Sequence, residues 1–286
     1  MTAGNDPAAS TTPPAGPSID PGVGEPRAVR RVTEAAAVVL AGNPGPLTLD
    51  GTNTWLLGAP GSATSVVVDP GPNDDAHVEA VAAAAGRVEL IVLTHRHDDH
   101  SGGVDALHRL TGAPVLAADP RWRRDHRGPR DGEVLRAAGL RLTVWAVPGH
   151  TADSLAVLVG NGAVLSGDTV LGRGSAVLTE PDGDLGDYLD SLRRLAGLRG
   201  RRLLPGHGPD QPDAAPIVRS YLTHRAERLA SVRAALAELG LEPQASSAPA
   251  VVARVYADVD RGLWPAAEQS VRIQLAYVAR QSGLRR

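Results

Sequence analysis

Three histidines and two aspartates crowd into His95-Arg96-His97-Asp98-Asp99-His100, directly after the apolar run Leu90–Leu93. Neutral imidazole is the commonest biological metal ligand, and carboxylates suit the same borderline-hard divalent ions. Polar groups packed this densely at the end of a buried strand carry a solvation cost, which a bound ion removes. The chain has nine histidines in 286 residues, so three within six reads as a metal-ligand cluster rather than a solvated turn. There is no cysteine, so disulfides and thiolate sites are excluded and any zinc must be held by imidazole and carboxylate.

Three later segments share one pattern, a short apolar strand followed by glycine and a metal-binding residue type. Leu142–Val147 runs into Pro148-Gly149-His150-Thr151, Ala163–Leu165 into Ser166-Gly167-Asp168-Thr169, and Arg202–Leu204 into Pro205-Gly206-His207-Gly208. Glycine lets the backbone turn sharply at the strand end, so that the next side chain points out of the sheet edge. One such unit carries little weight; three following a histidine-rich strand end point to a shared site.

His95-x-His97-x-Asp99-His100 resembles the H-x-H-x-D-H signature of the metallo-β-lactamase superfamily, a set of binuclear metal hydrolases. Asn43–Gly58, and Tyr221-x-x-His224-Arg225-x-x-Arg228 with Ala266-Ala267-Glu268, are similar to the branch of that superfamily that includes beta-lactamase-like protein 2. The resemblance covers nearly the whole chain after about residue 27. It implies one ion held by His95, His97 and His150, a second held by Asp99, His100 and His207, and Asp168 bridging the two. Zinc is the default, two ions per chain, with manganese or iron also compatible with oxygen ligands. Two cations sharing one water would lower its pKa from 15.7 toward ~7 and supply a bridging hydroxide. Asp99 would orient that nucleophile as well as bind metal.

The elements that must position these residues alternate between strand and helix and then become helical only. Strands are expected at Ala35–Leu40, Ser65–Val68 and Pro114–Ala118, with a hairpin over Leu47–Leu57 turning at Asp50-Gly51. Helices are expected at Asp75–Ala85, from Ser101, at Asp187–Leu198, at Pro216–Leu239, and at Ala248–Val259 and Glu268–Gln281. The expected fold is α/β: a four-layer αβ/βα sandwich over 27–213, followed by a small helical, winged-helix-like subdomain over 214–286. Residues 1–26, rich in Ala, Pro, Gly, Ser and Thr, read as a disordered tail. Asp69, closing the strand Ser65–Val68, fits either a carboxylate orienting the histidine loop or a turn cap.

The net charge of −3 excludes a generic polyanion binder, yet it is unevenly placed. Every basic residue is Arg, and residues 214–286 carry +4 against −7 for the rest. Arg121-Trp122-Arg123-Arg124-Asp125-His126-Arg127-Gly128-Pro129-Arg130 reads either as a loop that contacts phosphates and stacks a base, or as a solvated loop in an Arg-rich chain. Candidate substrate contacts are Arg121, Trp122, Arg123 and Arg124 from this loop, and His224 from the C-terminal motif, where the other role open to it is a structural hydrogen bond. No apolar run approaches the ~20 residues of a membrane helix. There is no basic start with an apolar stretch behind it, so a cytoplasmic location is expected. The expected activity is metal-dependent hydrolysis. The leading substrate is single-stranded RNA, since animal members of the resembled branch are endoribonucleases. The alternative is a small-molecule thioester or lactone, as in the hydroxyacylglutathione hydrolases; a non-catalytic binding protein on this fold is a third class.

Overall fold

The computed structural model describes residues 25–283 and has the four-layer architecture that the sequence predicts. The expected N-terminal tail lies outside the described residues except for Glu25 and Pro26. One sheet has six strands in sequential order: β1 (Val29–Thr33), β2 (Ala36–Leu40), β3 (Asn53–Leu57), β4 (Ser65–Val68), β5 (Val88–Val92) and β6 (Val115–Leu116). The other runs β11 (Arg202–Pro205), β10 (Ala163–Gly167), β9 (Leu155–Val159), β8 (Leu140–Ala146), β7 (Glu133–Ala137).

Side-chain alternation along the strands builds three cores. Leu90 and Val92 of β5 face the second sheet, together with Val66, Val68, Val157 and Leu165. Ile91 and Leu93 face outward, under helices α1 (Asp75–Ala85) and α3 (Val104–Thr111), against Val78, Val81 and Leu107. A strand covered on both faces needs apolar residues at its buried positions, which is why residues 66–68 of β4 and 90–92 of β5 read as unbroken runs. The outer face of the second sheet presents Ala156, Leu158 and Val164 to helix α4 (Leu185–Leu195). That same core continues into α5 (Ala214–Leu239), α6 (Ala248–Val255) and α7 (Trp264–Gln281) through Val218, Leu229, Val251 and Val271. The C-terminal helices thus share a core with the sandwich.

Several boundaries differ from the expected ones. The hairpin joins β2 to β3, with Leu40 opposite Asn53, and residues 41–52 form its long connection rather than a strand. That connection is pinned by Asn43, whose amide donates to Thr52 Oγ1 and whose Oδ1 accepts from Thr52 N, and by the ion pair of Asp50 with Arg173. The helix expected from Ser101 begins earlier, as the single turn α2 (Asp98–Ser101), so Asp99 and His100 are helical. Helix α5 starts at Ala214, capped by the Asp213 carboxylate on Ala215 N–H. Among the described residues no strand follows β11.

Candidate metal centre

The loops at the carboxyl ends of β5, β8, β10 and β11 meet at one edge of the sandwich, where they bring together all seven residues expected to bind metal. Within each of three groups, His95/His97/His150, His95/His100/Asp168 and Asp99/His100/His207, the donor atoms lie within 4.8 Å of one another. His97 Nδ1 is 3.1 Å from both His95 Nε2 and His150 Nε2. His100 Nε2 is 3.2 Å from His207 Nε2. Asp168 lies between the two sets, with Oδ2 3.2 Å from His207 Nε2 and 3.8 Å from His150 Nε2, and Oδ1 3.4 Å from His100 Nε2.

The partners of the outward-facing nitrogens decide which nitrogen points inward. His150 Nδ1 lies 2.9 Å from Val177 O, and His207 Nδ1 3.1 Å from Gly51 O; against carbonyls, both nitrogens must donate. Thr94 Oγ1 donates to Asp69 Oδ2 at 2.8 Å and thereby accepts from His95 Nδ1 at 3.0 Å. Asp69 Oδ2 also takes the Nδ1–H of His100, at 3.0 Å. In all four rings the Nε2 lone pair is left facing the centre, as a metal-ligating histidine requires. Of the two roles open to Asp69, the structure selects orientation of the histidine loop.

This donor set fits divalent cations. Ring nitrogens about 3.1–3.2 Å apart and all aimed at one centre cannot all hydrogen-bond to one another, and His97 Nδ1 is met by two. Ligands of a tetrahedral ion at ~2.0–2.1 Å are roughly 3.3–3.4 Å apart, close to this spacing. Asp168 Oδ1 is buried with no hydrogen-bond partner, a costly state that a cation would relieve. By themselves, the carboxylates draw protons onto two of the rings, placing positive charge where an ion's charge would stand. Burial holds His95 and His150 below the ordinary histidine range. Burial also opposes charge on His100 and His207, but the Asp168 and Asp99 carboxylates outweigh it, raising His100 well up and His207 to about 9. For Asp99, burial is outweighed by His100 and His207, which bring the carboxyl down to about 2.

Several positioning residues carry no ligand signal in the sequence. Asn53 Nδ2 donates to Pro205 O and Gly208 O, and Trp55 Nε1 also donates to Pro205 O, so β3 holds the loop that carries His207. Thr52 Oγ1 lies 3.4 Å from Asp99 Oδ2. A Cβ at Gly206 would sit 2.3 Å from Asp168 Oδ1, so only glycine clears the donors. Gly167 has φ 49°, and a Cβ there would lie 2.6 Å from Thr94 Oγ1.

The candidate substrate residues divide. Arg121, Trp122 and Arg124 line a cavity of about 550 Å³ together with Arg96, His97, Asp98 and Asp105, and so reach the edge of the centre. Arg123 and His224 do not line it. Arg123 turns inward to the carbonyls of Ala117 and Ala118, and His224 lies half-buried on α5. Three of the loop's other four arginines are engaged as well: Arg121 with Asp119, Arg124 with Asp105 and two carbonyls, and Arg127 with Glu133. Trp122 packs against the α1/α3 core.

A two-sheet sandwich with histidines and aspartates gathered at its strand ends defines a metal-dependent hydrolase class, and residues 47–207 match the metallo-beta-lactamase superfamily. The chain belongs to that superfamily. Residues 247–276 match the beta-lactamase associated winged helix domain. The chain is 33% identical over 260 residues to the beta-lactamase-like protein 2 homolog of Caenorhabditis elegans, covering 86% of this chain and 85% of that protein. It is 31% identical over 264 residues to an atrochrysone carboxyl ACP thioesterase of Aspergillus fumigatus, covering 85% and 78%. A beta-lactamase domain protein from Burkholderia ambifaria shares the fold, with TM-score 0.74 at 22% identity over 96% of this chain and 91% of that one.

Proposed function

We propose that this chain is a two-zinc hydrolase of small acyl substrates, thioesters or lactones. His95, His97 and His150 would hold one ion and Asp99, His100 and His207 the other, with Asp168 between them. The observation that carries this is the fixed inward aim of four Nε2 lone pairs around a buried, unpartnered Asp168 oxygen. When bound, the ions supply Lewis acidity and an acidified water. Asp99, ionised throughout the neutral range, offers Oδ2 to hold and orient the attacking water. The cavity beside His97, walled by Trp122 and the Arg96 and Arg121 stems, receives the remainder of the substrate.

Acyl substrates are preferred over RNA because Arg121, Arg123, Arg124 and Arg127, four of the five arginines of the 121–130 loop, already have carboxylate or carbonyl partners inside the protein. Each of these four would have to exchange a partner for a phosphate. A relative named as a thioesterase over most of its length points the same way. Single-stranded RNA remains the second reading, favoured by Trp122 and Arg121 opening onto the cavity at His97. Elemental analysis after zinc loading should give about two equivalents, by the coordination logic of His and carboxylate shells. Turnover of S-lactoylglutathione or a homoserine lactone, with single-stranded RNA left intact, is the expected result. RNA cleavage with a steep salt dependence would replace it with the second reading. Zinc near zero under saturating metal would end both.

A further inference from the structure

We infer that Arg225, on the C-terminal helix α5, is a positioning residue for the metal centre and acts through the His150 ligand. This rests on the reading of His150 as a ligand given above. The segment from Asp168 to Val177 links the two: it begins at a candidate ligand and ends at the carbonyl that takes the His150 Nδ1–H, at 2.9 Å. Three side chains hold that segment. Tyr188 donates its hydroxyl to Thr169 O at 2.7 Å, and Tyr221 OH accepts Leu171 N–H at 3.1 Å. One helical turn beyond Tyr221, Arg225 donates through Nη2 to Ala176 O, with Ser175 Oγ 3.5 Å away. Its guanidinium carbon lies 5.1 Å from the Tyr188 ring centroid.

Arg225 is the one buried arginine among the described residues, 7% exposed, and its Nε has no hydrogen-bond partner. A guanidinium is strongly penalised in such a place unless its charge does something there. Here it fixes the Ala176 carbonyl, one peptide before the Val177 carbonyl that sets the His150 tautomer. Val177 itself is 39% exposed, so its own side chain does not anchor the turn. The sequence motif contains His224 and Arg225 side by side, and the structure turns Arg225, not His224, toward the centre. The helical segment thereby supplies a part that the sandwich lacks.

The test compares Arg225→Gln and Arg225→Lys with wild type and with Arg228→Gln, a control that removes a charge from the same helix. Arg228 lies over the Tyr256 ring, away from this contact. Each protein is titrated with zinc against a chromophoric chelator, and the ring N–H signal of His150 is followed by NMR in the zinc-loaded state. Removing a group that orients a metal ligand typically weakens binding ~10–100-fold, and one hydrogen bond further out we expect about 3–10-fold. That loss should fall on one of the two equivalents only, with faster solvent exchange of the His150 N–H in Arg225→Gln and partial recovery in Arg225→Lys. Arg228→Gln should match wild type. Unchanged affinities and an unchanged His150 signal in both Arg225 variants would overturn the inference while leaving the two-zinc reading intact. Equal weakening of both equivalents would also overturn it, since that is the signature of general loosening. If Arg225→Gln does not fold, Arg225→Lys alone decides by the same readouts. Failure of wild type to bind zinc overturns the site reading itself, and the inference with it.

Discussion

Single side chains around the centre are tuned by burial as much as by charge, and His77 shows this outside the ligand set. It is fully buried, with Nε2 2.9 Å from Thr54 Oγ1 and Nδ1 unpartnered. Burial brings its pKa down to about 4, with Arg27 adding to the effect and Asp74 opposing it. The folded protein therefore holds His77 neutral, whereas the unfolded chain takes up a proton near pH 6.5. Above 6.5 neither state is charged and nothing is lost. As pH falls from 6.5 toward 4 the unfolded state binds the extra proton and stability declines, by roughly 3 kcal/mol in full. The stability advantage of wild type over His77→Gln should thus shrink between pH 7.5 and 4.5, read by urea unfolding of metal-free protein. A gap that stays constant with pH would mean that His77 titrates normally.

At the scale of elements, the loop between β6 and β7 gives the sharpest expectation. Arg123 donates to Ala117 O and Ala118 O and packs against Gly128, so Arg123→Ser strands two carbonyls and should cost about 1–3 kcal/mol in denaturant unfolding. Arg121 makes an exposed pair with Asp119, and Arg121→Ser should change stability by less than ~1 kcal/mol. Equal effects would mean that the loop is not organised around Arg123. The same contrast shows what the sequence could and could not reveal. Residues 66–68 of β4, 90–92 of β5 and 163–165 of β10 are legible because layers cover both faces and these positions are buried and apolar, and the edge strand β11 by the Pro-Gly-His that ends it. Strands β1 and β7 were passed over because they are sheet edges, where Arg30, Arg31, Glu133 and Arg136 interrupt the apolar pattern. The apolar run of β9 ends in no metal-binding residue type, so nothing in it points to the site. In the site, the seven candidate donors were legible from the clustered His and Asp residues, the three strand-then-Gly units and the family resemblance, and the structure gathers them. The groups that aim them were less so: Gly51 O and Val177 O are backbone carbonyls, which leave no mark in residue identity.

For the molecule as a whole, the candidate ligands lie at one edge of cores that are complete without them, so zinc bound as proposed should stabilise a fold that already exists. At a hundredfold excess over its dissociation constant a ligand contributes about 2.7 kcal/mol, which for a domain of this size shifts the melting temperature by roughly 5–10 °C. Chelator treatment should lower the midpoint by that amount while leaving a cooperative transition and an unchanged far-UV spectrum. Loss of the transition would show instead that the ion is needed for folding. No helix among the described residues is long and apolar enough to cross a membrane. The parallel pairing of β10 with β11 has a consequence in time rather than in space. His207 stands at the end of β11, and Arg225 lies further along the chain still, so a ribosome delivers the histidine cluster at residues 95–100 long before the parts that complete it. If these residues hold two ions as proposed, the cluster at 95–100 would be only a partial chelator until the most distant segments of the sandwich dock. Capture of a second ion would then mark the end of assembly, and metal uptake by nascent chains would report the final step of folding.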